Sequence, residues 1–262
     1  MKKTTFTIVL FILTFLALES CSEKTAESQF IEFEMECQDG TERAGGIYIS
    51  KHAKEGTPVI YMCDGLIFKE CGFKHMIDSL IDNKCISPVV VACSYENKTK
   101  ISGFTIAYRN AEYIESLAKT DNRLATLFDS HYNFFINEFI PYIEKKAPVS
   151  TSSADRVFFG TSNSADFGLT LSMRQPELMD EYWCFSPVYS DITDYGILPR
   201  ELKYRVCWGV REEIDGFDYF PSLMKDLKKR GGDVRSWVFN GGHDRGKWKY
   251  WFCEMLKERF PY

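Results

Sequence analysis

Two stretches of the chain are apolar without interruption. They are Pro58-Val59-Ile60-Tyr61-Met62-Cys63 and Pro88-Val89-Val90-Val91-Ala92-Cys93. Runs of this kind suit strands buried on both faces of a parallel sheet. Arg156 to Phe159, Tyr182 to Phe185, Tyr204 to Trp208 and Val234 to Phe239 read as further strands. Phe30 to Cys37 and Ala44 to Ser50 read as an antiparallel pair, with the turn signal Gln38-Asp39-Gly40 between them. Between the two apolar runs, Phe73 to Ile81 has helical spacing. Phe134 to Ile143 predicts a strong helix, because Phe135, Phe139, Ile140 and Ile143 share one face. Further helices are predicted from the turn after Phe159 to about Arg174, from Phe217 to Arg230 before Gly231-Gly232, and from Lys247 to Arg259. Residues 95 to 130 are polar and mixed, without a strong period, and read as a long excursion over the top of the sheet.

Strands alternating with helices imply an α/β fold: a mostly parallel central sheet with helices on both faces. Neither an internal repeat nor a low-complexity linker breaks the run, so residues 30–262 read as a single domain. Ligands of such sheets bind beyond the carboxyl ends of the strands. The turns that matter are therefore those after Cys63, Phe159, Trp208 and Phe239.

The N-terminus changes this picture. Lys2-Lys3 precede an apolar run from Phe6 to Leu18, too short to span a bilayer comfortably, which is the pattern of a secretory signal over residues 1–20. The run ends in Leu18-Glu19-Ser20-Cys21, which resembles a bacterial lipobox. That resemblance implies lipidation of Cys21 and an exported protein held at the cell envelope by its lipid chains; the plainer reading is a signal peptide cleaved nearby, and the polar residues up to 29 read as a tether over 21–29. Eight cysteines follow Cys21. Cys63, Cys93, Cys184 and Cys207 lie inside apolar runs, which favours buried free thiols over bridges. Neither a C-x-x-C pattern nor a Cys/His cluster is present, so no metal or other cofactor is expected. The net charge is -5 with acids and bases interspersed. A chain without a basic stripe is a poor partner for nucleic acid.

The chemistry gathers at three of the turns. After Phe159 comes Gly160-Thr161-Ser162-Asn163-Ser164, nearly G-x-S-x-G with Ser164 in place of the second glycine. A serine on a sharp strand-to-helix turn presents its hydroxyl above the sheet edge. A serine N-cap is the plainer reading of the same residues. After Trp208 come Glu212, Glu213 and Asp215, and after Phe239 comes Asn240-Gly241-Gly242-His243-Asp244. Serine, acid and histidine in that chain order, each after its own strand, is the order of α/β hydrolases. Serine needs a base to take its proton, histidine titrates near neutrality, and a carboxylate fixes the histidine tautomer. Oxyanion donors are expected from the backbone N–H of Asn163 and from the turn Asp64-Gly65-Leu66. His52, His75 and His131 read as structural or surface residues, and Asp166 as a helix cap. Tyr182-Trp183 and the Trp248 to Trp251 group read as core before binding platform.

From about Pro58 to Trp251 the chain resembles the esterase family that includes ferric-enterobactin esterase-like proteins, S-formylglutathione hydrolases and feruloyl esterases. Four stretches carry the resemblance: VIYMCDG, YRNAEY, the segment from FINEF through GTSNSADFG to QPELM, and NGGHDRGKW. YRNAEY is similar to an Arg-x-x-Asp-Tyr segment, here Arg109, Glu112 and Tyr113. By position the resemblance implies an α/β-hydrolase fold, Ser162 as nucleophile, His243 as base, and an acid three residues after Gly209, which is Glu212. Aspartate is more usual at that point, and Glu213 and Asp215 stay in play, as does Ser164 beside Ser162. Leu66 is implied as the second oxyanion donor.

The resulting expectation is a lipid-anchored serine carboxylesterase. It would act through an acyl-enzyme on a siderophore, a feruloyl or acetyl sugar ester, or a similar small ester. The competing expectation is a binding or accessory lipoprotein that keeps the fold without turnover.

Overall fold

A computed structural model of the protein describes residues 27–97, 108–188, 192–212 and 216–262, with backbone alone for 216–218. The leader, Cys21 and most of the tether lie outside the described residues, as do Glu213 and Asp215. All eight stretches that read as strands are strands: β1 (Gln29–Glu36), β2 (Glu42–Ile49), β3 (Val59–Met62), β4 (Val90–Ser94), β5 (Arg156–Thr161), β6 (Glu181–Phe185), β7 (Lys203–Gly209) and β8 (Asp233–Phe239). They form one sheet in the order β1-β2-β4-β3-β5-β6-β7-β8. β1 and β2 pair antiparallel, and β2 pairs antiparallel with β4. Every other neighbouring pair is parallel.

The helices are α1 (Leu66–Glu70), α2 (Phe73–Asp82), α3 (Tyr108–Tyr113), α4 (Glu115–Ala118), α5 (Leu127–Phe134), α6 (Ile140–Lys146), α7 (Asn163–Arg174), α8 (Gly216–Lys229) and α9 (Arg245–Arg259). Alternate strand residues divide the core in two, because successive side chains of a strand point to opposite faces. Val59, Tyr61, Phe158, Tyr182, Cys184, Tyr204 and Val206 face one side, under residues of α3, α5, α6, α7 and α8. Ile60, Met62, Val157, Phe159, Trp183, Phe185 and Cys207 face the other, under α1, α2 and α9. Both faces of the sheet are thus covered, which is why its central strands are apolar without alternation. Cys63, Cys93, Cys184 and Cys207 are buried free thiols, and burial pushes each of them up.

Besides the short helix α1, which has no counterpart in the sequence expectation, the structure differs from it in two places. The described part of the 95–130 excursion contains two helical turns, α3 and α4, and the start of α5. The inner face of α3 carries Glu112, fully buried, which pairs with Arg43 at 2.9 Å. Arg43 also lies 3.2 Å from Nδ1 of the buried His131. A buried ion pair in place of an apolar stripe leaves no hydrophobic period to read. Burial pushes the Glu112 carboxyl up against the pull of Arg43, and burial followed by Arg43 pushes His131 down. His131 is therefore a core residue, whereas His52 and His75 are exposed.

The second difference lies in the predicted helix at Phe134 to Ile143. It starts earlier, as α5, and passes through a π-helical turn at Phe135–Phe139 before α6. The wider turn keeps Phe135, Phe139, Ile140 and Ile143 all buried. Among the described residues, no helix is long and apolar enough to cross a membrane.

Candidate active site

The turn after β5 is tight by construction. A Cβ at Gly160 would stand 2.4 Å from the backbone oxygen of Ser164, so only glycine lets α7 start this close to the strand. Ser162 sits at the corner with φ 57 and ψ -132, a conformation few non-glycine residues adopt. Strain of this kind costs roughly 1–3 kcal/mol and persists only where the surroundings impose it. Here the Ser162 N–H donates to the Phe185 carbonyl at 2.9 Å, and the Ser162 carbonyl accepts from Ala165 at 2.8 Å.

Ser164, where glycine is expected, has a local task. Its hydroxyl accepts from the Thr161 N–H at 2.9 Å and donates to the Thr161 carbonyl at 2.7 Å. The side chain is fully buried and its hydrogen-bonding capacity is turned on the backbone. Of the two serines, only Ser162 lines the cleft.

The turn after β8 also lines that cleft through His243, and the turn after β7 stands against it. β7 ends at Gly209, where a Cβ would meet the Gly241 carbonyl oxygen at 2.3 Å. The Arg211 N–H donates to that same carbonyl at 2.9 Å, and the Val210 N–H donates to Phe239 at 3.0 Å. These contacts lace the turn carrying Glu212 to the turn carrying His243. His243 Nδ1 lies 3.0 Å from Glu212 Oε2. Glu212 Oε1 accepts from the Gly209 N–H at 2.8 Å and from the Ser186 hydroxyl at 2.5 Å. The Glu212 side chain is 2% exposed and that of His243 is 41% exposed. Burial raises the Glu212 carboxyl, but the hydrogen bonds from His243, Gly209 and Ser186 outweigh it and hold the group below its ordinary value.

Ser186 escaped the sequence reading. It follows β6 directly, with φ 51 and complete burial. Its hydroxyl accepts from the indole N–H of Trp248 at 2.8 Å while donating to Glu212. Trp248 also packs edge-on against the His243 ring, with centroids 4.6 Å apart at 87°. The only signal in the sequence is the glutamate itself. It is one methylene longer than the aspartate expected there and so needs more bracing.

The cleft measures about 360 Å³ and is lined by Ser162, Thr161, His243, Trp248, Leu66 and Ile67, with Asp64, Glu70, Glu96, Arg109 and Arg245. Leu66 and Asn163 are the first residues of α1 and α7, where backbone N–H groups have no acceptor inside their own helix. The Asn163 side chain is engaged elsewhere, donating to Asn110 at 2.7 Å. Asp166 is buried in the first turn of α7 and accepts from the Val188 N–H at 3.0 Å, tying the segment after β6 to that helix. Tyr182 and Trp183 are core residues, while Tyr250 is exposed.

Known proteins share this architecture. A ferulic acid esterase aligns over 90% of this chain and 98% of its own at 15% identity, with a TM-score of 0.69. An S-formylglutathione hydrolase from Agrobacterium tumefaciens aligns over 88% of this chain and 94% of its own at 14% identity, with a TM-score of 0.70. An enterochelin esterase from Shigella flexneri aligns over 88% of this chain and 57% of its own at 15% identity, with a TM-score of 0.67. At these identities the likeness is one of fold. A search of curated proteins found no match. The family described as Putative esterase matches residues 40–217, more than half of the chain. The chain belongs to that family, and it is a carboxylic-ester hydrolase on an α/β-hydrolase fold.

Proposed function

We propose that the protein hydrolyses a small carboxylic ester through an acyl-enzyme on Ser162, with His243 as general base and Glu212 as the supporting acid. One observation carries this reading. The serine held at φ 57 and the histidine bound to a buried carboxylate open into the same cleft. An ionised carboxylate only accepts hydrogen bonds, so His243 carries its proton on Nδ1 and leaves Nε2 free to accept. Nε2 takes the Ser162 proton as Oγ attacks the ester carbonyl. The developing oxyanion is met by the N–H groups of Asn163 and Leu66. The same proton passes to the leaving alcohol, and water activated by His243 then releases the acid and frees Ser162. The substrate is a siderophore, a feruloyl or acetyl sugar ester, or a small ester of like size, and a screen across these three classes identifies which.

A fluorophosphonate probe is expected to label the protein on a single peptide containing Ser162. An unlabelled wild-type protein would sink the assignment.

Ser186 and Trp248 brace the acid. Ser186→Ala is expected to lower kcat roughly tenfold with KM little changed, because loosening a positioned group by a fraction of an ångström is costly in rate. An unchanged kcat in steady-state kinetics would mean that Gly209 and His243 hold Glu212 unaided.

The envelope location rests on the leader pattern and Cys21. Palmitate incorporation that disappears in Cys21→Ala would support it, and a wild-type protein without incorporation would remove it.

A further inference from the structure

The turn between β3 and α1 holds a further non-glycine residue at positive φ, as Ser162 and Ser186 are. Asp64 has φ 55 and lies two residues before Leu66. The direction of the Leu66 N–H is set by the backbone angles of Cys63, Asp64 and Gly65, the three residues between β3 and that peptide. Gly65 is fixed by its own N–H, which donates to the Ser94 carbonyl at 2.8 Å. The Asp64 carbonyl accepts from Ile67 at 3.1 Å. The side chain of Asp64 is held by Arg109. The Arg109 Nε–H donates to Oδ1 at 2.6 Å, and Nη2 donates to Oδ2, a two-pronged pairing.

Arg109 is itself immobilised. Its guanidinium lies 5.2 Å from the ring centre of Tyr113, which is fully buried. Glu96 approaches Arg109 Nε at 3.5 Å from the end of β4. The Tyr113 ring is packed in turn against His131 and Phe167. A chain of fixed contacts therefore runs from the helical core under the cleft to the turn beside Ser162. Its last member is a strained residue that aims a backbone donor.

We infer that Arg109 is a positioning residue for the reaction: through its fork on Asp64 it holds the turn in the conformation that aims the Leu66 N–H at the oxyanion. This rests on the assignment of Ser162 as nucleophile and Leu66 as oxyanion donor. Lysine keeps the charge but is a point donor and cannot reproduce the fork.

The test compares Arg109→Lys, Asp64→Asn and the double variant on a series of esters differing in acyl group and in leaving alcohol. Loss of one oxyanion donor costs about 10²–10³-fold in kcat, so a misaimed donor is expected to cost about 10–100-fold. The loss should be the same factor for every ester in the series, with KM moved less than about threefold, since the group acts on the transition state and not on substrate binding. The double variant should lose little more than the worse single one, because both act through one contact. Thermal melting and end-point fluorophosphonate labelling show whether each variant is folded with its serine accessible. A loss seen mainly in KM, or varying with the alcohol, would make Arg109 a substrate contact and overturn the inference. So would a kcat within about twofold of wild type in folded Arg109→Lys. Failure of wild-type labelling at Ser162 is a separate outcome, which removes the nucleophile assignment and this inference with it.

Discussion

Ser162→Ala is expected to reduce kcat for p-nitrophenyl acetate by about 10⁴-fold or more, to the residual rate that binding and oxyanion donors alone can support. Fluorophosphonate labelling should vanish in the same variant. The neighbouring Ser164→Ala should behave in the opposite way. Its label should persist, because the Ser164 hydroxyl faces Thr161 and not the cleft. Its stability should fall by about 1–3 kcal/mol, because the buried Thr161 N–H would lose its partner. For a domain of this size that is a melting temperature lower by a few degrees. The pair of variants therefore separates chemistry from architecture at adjacent serines. Label lost in Ser164→Ala and kept in Ser162→Ala would move the nucleophile to Ser164.

That contrast shows where sequence reasoning reaches and where it stops. The eight strands are legible because the central ones are buried on both faces and the outer ones sit between clear turn signals. The order of serine, acid and histidine is legible because each follows its own strand. The task of Ser164 is not, since a hydroxyl can face solvent, substrate or backbone with the same spacing. Only the closeness of α7 to β5, forced at Gly160, decides it. The sequence favours Glu212, three residues after Gly209, but leaves Glu213 and Asp215 in play. Glu212 is the one among them whose surroundings are described, and it lies against His243. Ser186 and α3 were hidden for a related reason. Each is positioned by polar contacts between segments distant in sequence, and such contacts leave no periodic trace.

Glu212→Gln is expected to lower kcat by about 10²–10⁴-fold with a near-normal KM. The amide preserves shape but cannot accept from all three of its present donors. The Gly209 N–H, the Ser186 hydroxyl and the His243 Nδ1–H all point at the carboxylate. If the amide NH₂ turns toward His243, the ring must move its proton to Nε2, where it can no longer accept from Ser162. Glu212→Asp should fall between the two, since it keeps the charge but withdraws it by one methylene. The same substitution has a pH signature in stability. The folded-state carboxyl is held below its ordinary value of 4.5. A group of that kind stabilises the fold above its unfolded-state value, and the contribution is lost as pH falls through the folded-state one. Wild type should therefore outlast Glu212→Gln in urea at neutral pH, and the gap between their midpoints should close below about pH 4. A gap unchanged across that range would mean the carboxylate is not stabilised by its partners. A Glu212→Gln enzyme with near-normal kcat would place the acid at Glu213 or Asp215, or leave Ser162 and His243 working as a dyad.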